Sequence, residues 1–170
     1  GLFTPGTVML QPAAYIRAIA ENFPEKVTVF ENSPVVNMVR QGTDWQVKTP
    51  DGQVSAGKVI LATNGHAQSF GFYKRRFVHL ILYASLSRVL TPDEVTRMGG
   101  QSRWGVTPSD PMGSSVRRVH GPDGVRILMR NSASYEPSMN GEISKVKKLV
   151  SKHSNSISKR WPVLAGLEME

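Results

Sequence analysis

The run Val59-Ile60-Leu61 places three apolar side chains in succession, and the chain then breaks into Ala62-Thr63-Asn64-Gly65-His66. Successive side chains of a strand point to opposite faces, so an apolar run without polar alternation has to be covered on both. Strands of that kind lie inside parallel-type sheets with a layer on each side. The tip matters as much as the run. Strands that end on small and polar residues often hold their last backbone groups against a ligand, where a residue without Cβ lets the backbone come close; the other reading is an ordinary strand-to-loop exit.

The elements before this run follow from local signals. Gln11-Pro12 opens a helix, because proline lacks an N–H that would be unpaired there anyway. Ile16, Ile19, Ala20 and Phe23 fall on one face at helical spacing, and Pro24 ends the helix. Val27-Thr28-Val29-Phe30 reads as a strand. Residues 35–40, 45–49 and 53–56 form three short strands, turned at Gly42-Thr43-Asp44 and at Pro50-Asp51-Gly52. This is a β-meander, and it returns into Val59-Ile60-Leu61.

The character changes near residue 70. Residues 70–77 are aromatic and basic and read as a helical turn or crossover. Residues 79–90 read as a long strand. Thr91-Pro92-Asp93-Glu94 is a helix start, with Thr91 as N-cap and acids in the first turn, and Gly99-Gly100 stops that helix. Strands follow at 104–106, 116–119 and 125–129, the last two joined as a hairpin by Gly121-Pro122-Asp123-Gly124. Residues 142–159 form an amphipathic helix. Ile143, Val146, Val150, His153, Ile157 and Trp161 make its apolar stripe, and Lys145, Lys147, Lys148, Lys152 and Lys159 lie mostly off it. The expected class is α+β (mixed α/β), with residues 1–70 as one part and 71–170 as a second, mainly antiparallel one.

A compact chain of 170 residues can bury roughly 70% of its unfolded surface, so no staple is needed. It has no cysteine, which excludes disulfides, thiolate metal sites and cysteine nucleophiles, and fits a reducing, cytoplasmic setting. No apolar run approaches the roughly 18 residues of a membrane span. The net charge of +8 attracts anions, but the basic residues are scattered, and the densest cluster is on the C-terminal helix. The chain opens on Gly1 rather than methionine, which is expected of a processed or excised piece.

No GxGxxG, Walker A, GxSxG or HExxH motif occurs, and no carboxylate pair stands out for acid–base work. His66, His79, His120 and His153 lack metal-ligand spacing. His153 belongs to the apolar stripe and is expected to be a satisfied core or boundary histidine. His120 adjoins a turn and is expected to be exposed. His66, in the polar tip, and His79 are site candidates.

The order of LQPAAYIRAIAENF, VTVFE, NSPVVNMV, the meander and KVILATNGHA resembles the FAD-dependent glycine/D-amino-acid oxidase family. The similarity is greatest to its bacterial amine-oxidising branch, which includes gamma-glutamylputrescine oxidoreductases. It continues through WGVTPSDPMGSSVRR and ends at KRWPVLAGLEME, which is similar to the family's R-(F/W)-P-x-L stretch. The resemblance implies that Ala62, Thr63, Asn64 and Gly65 line the flavin nucleotide, and that Pro34, Val35 and Val36 lie by the adenine. It implies part of a Rossmann-like FAD domain followed by a substrate-side antiparallel sheet. It also implies oxidation of a small amine or amino acid by hydride transfer to flavin, with hydrolysis of the imine. Substrate-side candidates are His66, His79, Tyr83, Arg103, Trp104, Arg130 and Tyr135. Arginine suits a carboxylate, and aromatic rings suit a cationic amine.

The strand–GxGxxG–helix that cradles the pyrophosphate is absent from these 170 residues. The expectation is therefore an internal fragment of a longer oxidoreductase, inactive and without tight FAD binding alone. The alternative is a non-enzymatic basic module for nucleic acid or another acidic partner. It predicts salt-sensitive binding that weakens when Lys147, Lys148 and Lys152 are neutralised. No nucleic-acid motif and no interleaved aromatics accompany those lysines, so nucleic acid is the weaker expectation.

Overall fold

The computed structural model describes residues 2–139 and 143–170. Two compact units are present. One comprises Leu10–Val78, and the other joins Gly1–Met9 to His79–Glu170. The mixed α+β class with antiparallel sheets and helices is borne out.

In the Leu10–Val78 unit, α1 spans Pro12–Glu21. Gln11 caps it, its side-chain oxygen accepting the Ala14 N–H at 2.6 Å. The strands β1 (Asn37–Gln41), β2 (Asp44–Thr49) and β3 (Gly52–Ala56) form the expected meander in the order β1-β2-β3, both pairs antiparallel. A 3-10 helix, Asn64–Phe70, follows.

Two expectations for this unit fail. Residues 27–30 and 59–61 belong to no strand or ladder, and Ile60 is 92% exposed. An apolar run of three or four residues becomes a strand only when neighbours share its backbone groups. Neither run has a neighbouring strand among the described residues of this unit, whose ladders join only β1, β2 and β3. Likewise α1 forms from its local signals, yet none of its residues is buried and Ile16 is exposed. Helical periodicity fixes which residues share a face, whereas burial requires a second surface.

The other unit holds the core. Strands β4 (Leu80–Leu86), β5 (Trp104–Val106), β6 (Ser115–Gly121) and β7 (Gly124–Tyr135) form an antiparallel sheet in the order β4-β7-β6-β5. β6 and β7 make the expected hairpin, closing at Gly121 and Gly124. α2 (Pro92–Met98) starts on a full capping box. The Thr91 hydroxyl accepts the Glu94 N–H, and the Glu94 carboxylate accepts the Thr91 N–H. α3 (Ile143–Arg160) packs on β4 and β7. Its expected start at Glu142 and the side chain of Ile143 lie outside the described residues. His153 and Ile157 on its stripe are fully buried, Val150 and Trp161 pack against the core, and Val146 is exposed. The core joins Leu90, Val116, Ile127, Met129, Ile157 and Leu164 with Leu167 and Met169 of the C-terminal segment. That segment pairs with the free edge of β4, Leu86 and Glu170 exchanging backbone bonds at 3.0 and 2.9 Å.

Candidate functional site

The polar tip does not continue a strand. Asn64 takes a left-handed φ of 49°, and the chain coils at once into the 3-10 helix, the Thr63 carbonyl accepting the His66 N–H at 3.1 Å. Asparagine tolerates that conformation better than most residues. Ala62 and Asn64 face solvent, and Gly65 is half-buried. The Thr63 hydroxyl is buried and has no hydrogen-bond partner among the described residues. An orphaned buried hydroxyl costs about 1 to 3 kcal/mol, so one at a loop bend suits a polar ligand group placed against it. Pro34, Val35 and Val36 lead into β1. The Val36 N–H donates to the Lys48 carbonyl at 2.8 Å, while the Val36 side chain stays 63% exposed. These residues fit a nucleotide in two respects: an unsatisfied hydroxyl at Thr63 and an uncovered apolar edge at Val36. His66 is exposed on the 3-10 helix.

In the four-stranded sheet, register assigns each candidate to a face. Residues directly opposite in a ladder share a face. Arg130 stands opposite Ala84 and Ser115, and Tyr135 stands opposite Leu80. All lie on the face away from α3, where Leu80, Leu82, Arg130 and Tyr135 are exposed. The Arg130 guanidinium donates to the Ser115 hydroxyl at 3.3 Å. The face is therefore aliphatic and aromatic around a cationic group, a surface able to take a carboxylate beside an apolar body.

The remaining candidates are not brought to that face. Tyr83 looks toward α3, its hydroxyl 2.6 Å from that of Ser134. Trp104 stacks on Trp161, ring centroids 5.3 Å apart, against the core. Arg103 is exposed ahead of β5. His79 precedes β4, and its carbonyl accepts the Glu136 N–H at 3.0 Å.

The buried polar centre of this unit is His153. Its Nε2 is 2.7 Å from Asn131 Oδ1, and its Nδ1 is 2.8 Å from Ser85 Oγ. An amide oxygen only accepts, so Nε2 carries the proton and donates, while Nδ1 accepts from the serine hydroxyl. Burial pushes the imidazole pKa down, the Asn131 bond opposes this, and the nearby Lys152 charge adds to the lowering. The expectation of a satisfied core histidine is met, as is exposure of His120, whose ring bonds the Ser102 carbonyl at 2.6 Å. Asn131 and Ser85 carried no signal in the sequence, since nothing local marks a polar residue as the partner of one dozens of positions away. No group of acidic or histidine side chains suited to a metal ion occurs among the described residues. No described helix is long and apolar enough to cross a membrane.

Comparison with family models matches residues 1–144 to FAD dependent oxidoreductases (DAO). No curated protein and no solved structure matches the chain. The family match makes FAD the cofactor of the group to which these residues are related, and gives no support to the alternative of a nucleic-acid module. With residues 1–144 of 170 matched, the chain belongs to the family of FAD dependent oxidoreductases.

Proposed function

We propose that this chain is part of a flavoenzyme that oxidises a small amine or amino acid, of the kind found in the bacterial amine-oxidising, gamma-glutamylputrescine oxidoreductase-like branch. The family match supports the oxidoreductase and its cofactor. The observation that carries the cofactor contact is the buried, unpartnered Thr63 hydroxyl at the bend before Asn64. In this reading Thr63, Asn64 and Gly65 approach the nucleotide, with Ala62 beside them, and Pro34, Val35 and Val36 flank the adenine. FAD, when bound, supplies the acceptor for the hydride equivalent from the C–H beside the substrate nitrogen. The chain's own part is positional. Arg130 holds a carboxylate, Tyr135 and Leu82 pack the substrate's apolar body, and the open sheet face supplies the platform. The 170 residues contain no GxGxxG, so the isolated chain is expected neither to hold FAD tightly nor to turn over substrate.

The test is a titration of FAD into the isolated chain followed by tryptophan fluorescence, run beside the full-length polypeptide that contains it. The reading predicts no saturable response for the isolated chain and stoichiometric flavin in the longer one. Tight FAD binding by the isolated chain would overturn the fragment reading. A longer polypeptide that binds no flavin would overturn the enzyme reading.

A further inference from the structure

A groove of about 580 Å³ runs along α3 on the side of the β7 bulge, within the range typical of small-molecule sites. Lys148, Lys152 and Lys159 line it from the helix, and Ser114 and Ser132 line it from the sheet side. The three lysines are spaced i, i+4 and i+11, which puts them on one stripe of the helix over about 16 Å. Among the described residues no acidic side chain lines the groove. The charges there are also unneutralised. Arg88, Arg97, Arg126 and Lys145 have carboxylate partners, whereas none of the three groove lysines forms an ion pair among the described residues.

The second wall makes this more than a hydrated helix face. The register of β4 against β7 slips between Leu82 and Tyr83, and Ser132 is the residue left out of the ladder, with φ 64°. That bulge brings the Ser132 hydroxyl to Lys152, whose Nζ donates to it at 2.8 Å. A hydroxyl satisfies one ammonium donor without cancelling its charge. Asn131 is tied in as well, its Nδ2 donating to Ser114 Oγ at 3.1 Å. Lysine ammoniums with freely rotating donors, interspersed with hydroxyls, suit phosphate oxygens approached as point charges.

We propose that this groove binds a small anion built on a chain of two or three phosphates, at Lys148, Lys152 and Ser132, with Lys159 extending the site toward the end of α3. The chain is either an inorganic polyphosphate or the phosphate tail of a nucleotide. The proposal does not depend on the flavin reading, because it concerns a different surface and a different probe.

The experiment is calorimetric titration of inorganic tripolyphosphate, and separately of ATP, into the full 170-residue chain, with amide NMR shifts as the map. Saturable one-to-one binding is expected, with shifts at Ser114, Ser132 and Asn155. Equal affinity for the two probes assigns the site to the inorganic chain, and tighter ATP binding assigns it to a nucleotide. The Lys148→Gln/Lys152→Gln double variant should weaken binding at least tenfold. Lys147→Gln, exposed on the same helix but outside the groove, should change it less than twofold. Circular dichroism checks that both variants remain folded. Absence of saturable binding would overturn the proposal. So would equal losses in the two variants, or tighter binding of duplex DNA with shifts spread beyond the groove.

Discussion

Arg130 and Tyr135 lie on the same face of β7 although five positions separate them. An odd separation puts two strand residues on opposite faces. The extra residue Ser132, left unpaired where the register slips, restores the match, so that Arg130 stands opposite Ala84 and Tyr135 opposite Leu80. One bulge thus assembles the cationic and aromatic groups of the open sheet face. Bulges recur where a side chain has to be re-aimed.

If Arg130 holds a substrate carboxylate, Arg130→Met in the full-length polypeptide should raise KM at least tenfold for amino acids. Amines without a carboxylate should change little. Steady-state kinetics on matched amine and amino-acid pairs check this, and an equal change for both classes would remove the assigned role.

Thr63 gives a prediction with opposite signs in two readouts. Thr63→Val replaces an orphaned buried hydroxyl with an isosteric methyl, so the isolated chain should keep its stability or gain up to about 1 kcal/mol in urea unfolding. In the full-length polypeptide the same change should weaken FAD retention. A loss of stability in the isolated chain would mean the hydroxyl already has a partner.

His153 couples the second unit to pH. Its pKa is lowered on folding, so the neutral ring stabilises the fold above its ordinary value near 6.5. That stability is lost as pH falls through the lowered value. Urea midpoints between pH 8 and pH 5 should fall in the wild type. His153→Leu should destabilise at pH 8 by about 1 to 3 kcal/mol, since Asn131 and Ser85 lose a buried partner. Its midpoint should be flatter with pH.

Glu94 works at lower pH. The Arg88 guanidinium bonds its carboxylate at 2.7 and 2.9 Å and holds its pKa at about 2, against 4.5 ordinarily. Its contribution is whole above the ordinary value and fades as pH falls toward the lowered one. Glu94→Gln keeps an oxygen for the Thr91 N–H but loses the charge. It should cost about 1 to 2 kcal/mol at pH 7, modest because Arg88 is partly exposed, and the cost should vanish only as pH falls below about 2.

Much of the architecture was readable because its causes are local. The Thr91 cap, the 121–124 hairpin and the meander turns each rest on a few adjacent residues, and they form as expected. The α3 stripe holds in part: helical spacing puts His153 and Ile157 on the buried side, whereas Val146, on the same stripe, is exposed. The failures all concern partners distant in sequence. Residues 27–30 and 59–61 have strand composition without a neighbouring strand. Tyr83 and Trp104 have site-like chemistry but were turned to the α3 side and the core by a register no local signal encodes. The Ser132 bulge, which sets both the Arg130–Tyr135 face and the lysine groove, follows from no turn residue in the sequence around it.

The most direct test of the central claim is an anaerobic titration of the full-length polypeptide with primary amines and amino acids, following the visible absorbance of its flavin. The account predicts that at least one of them bleaches the flavin within turnover time. A preparation without flavin, or one whose flavin bleaches with 2-hydroxy acids or alcohols and with no amine or amino acid, would contradict it.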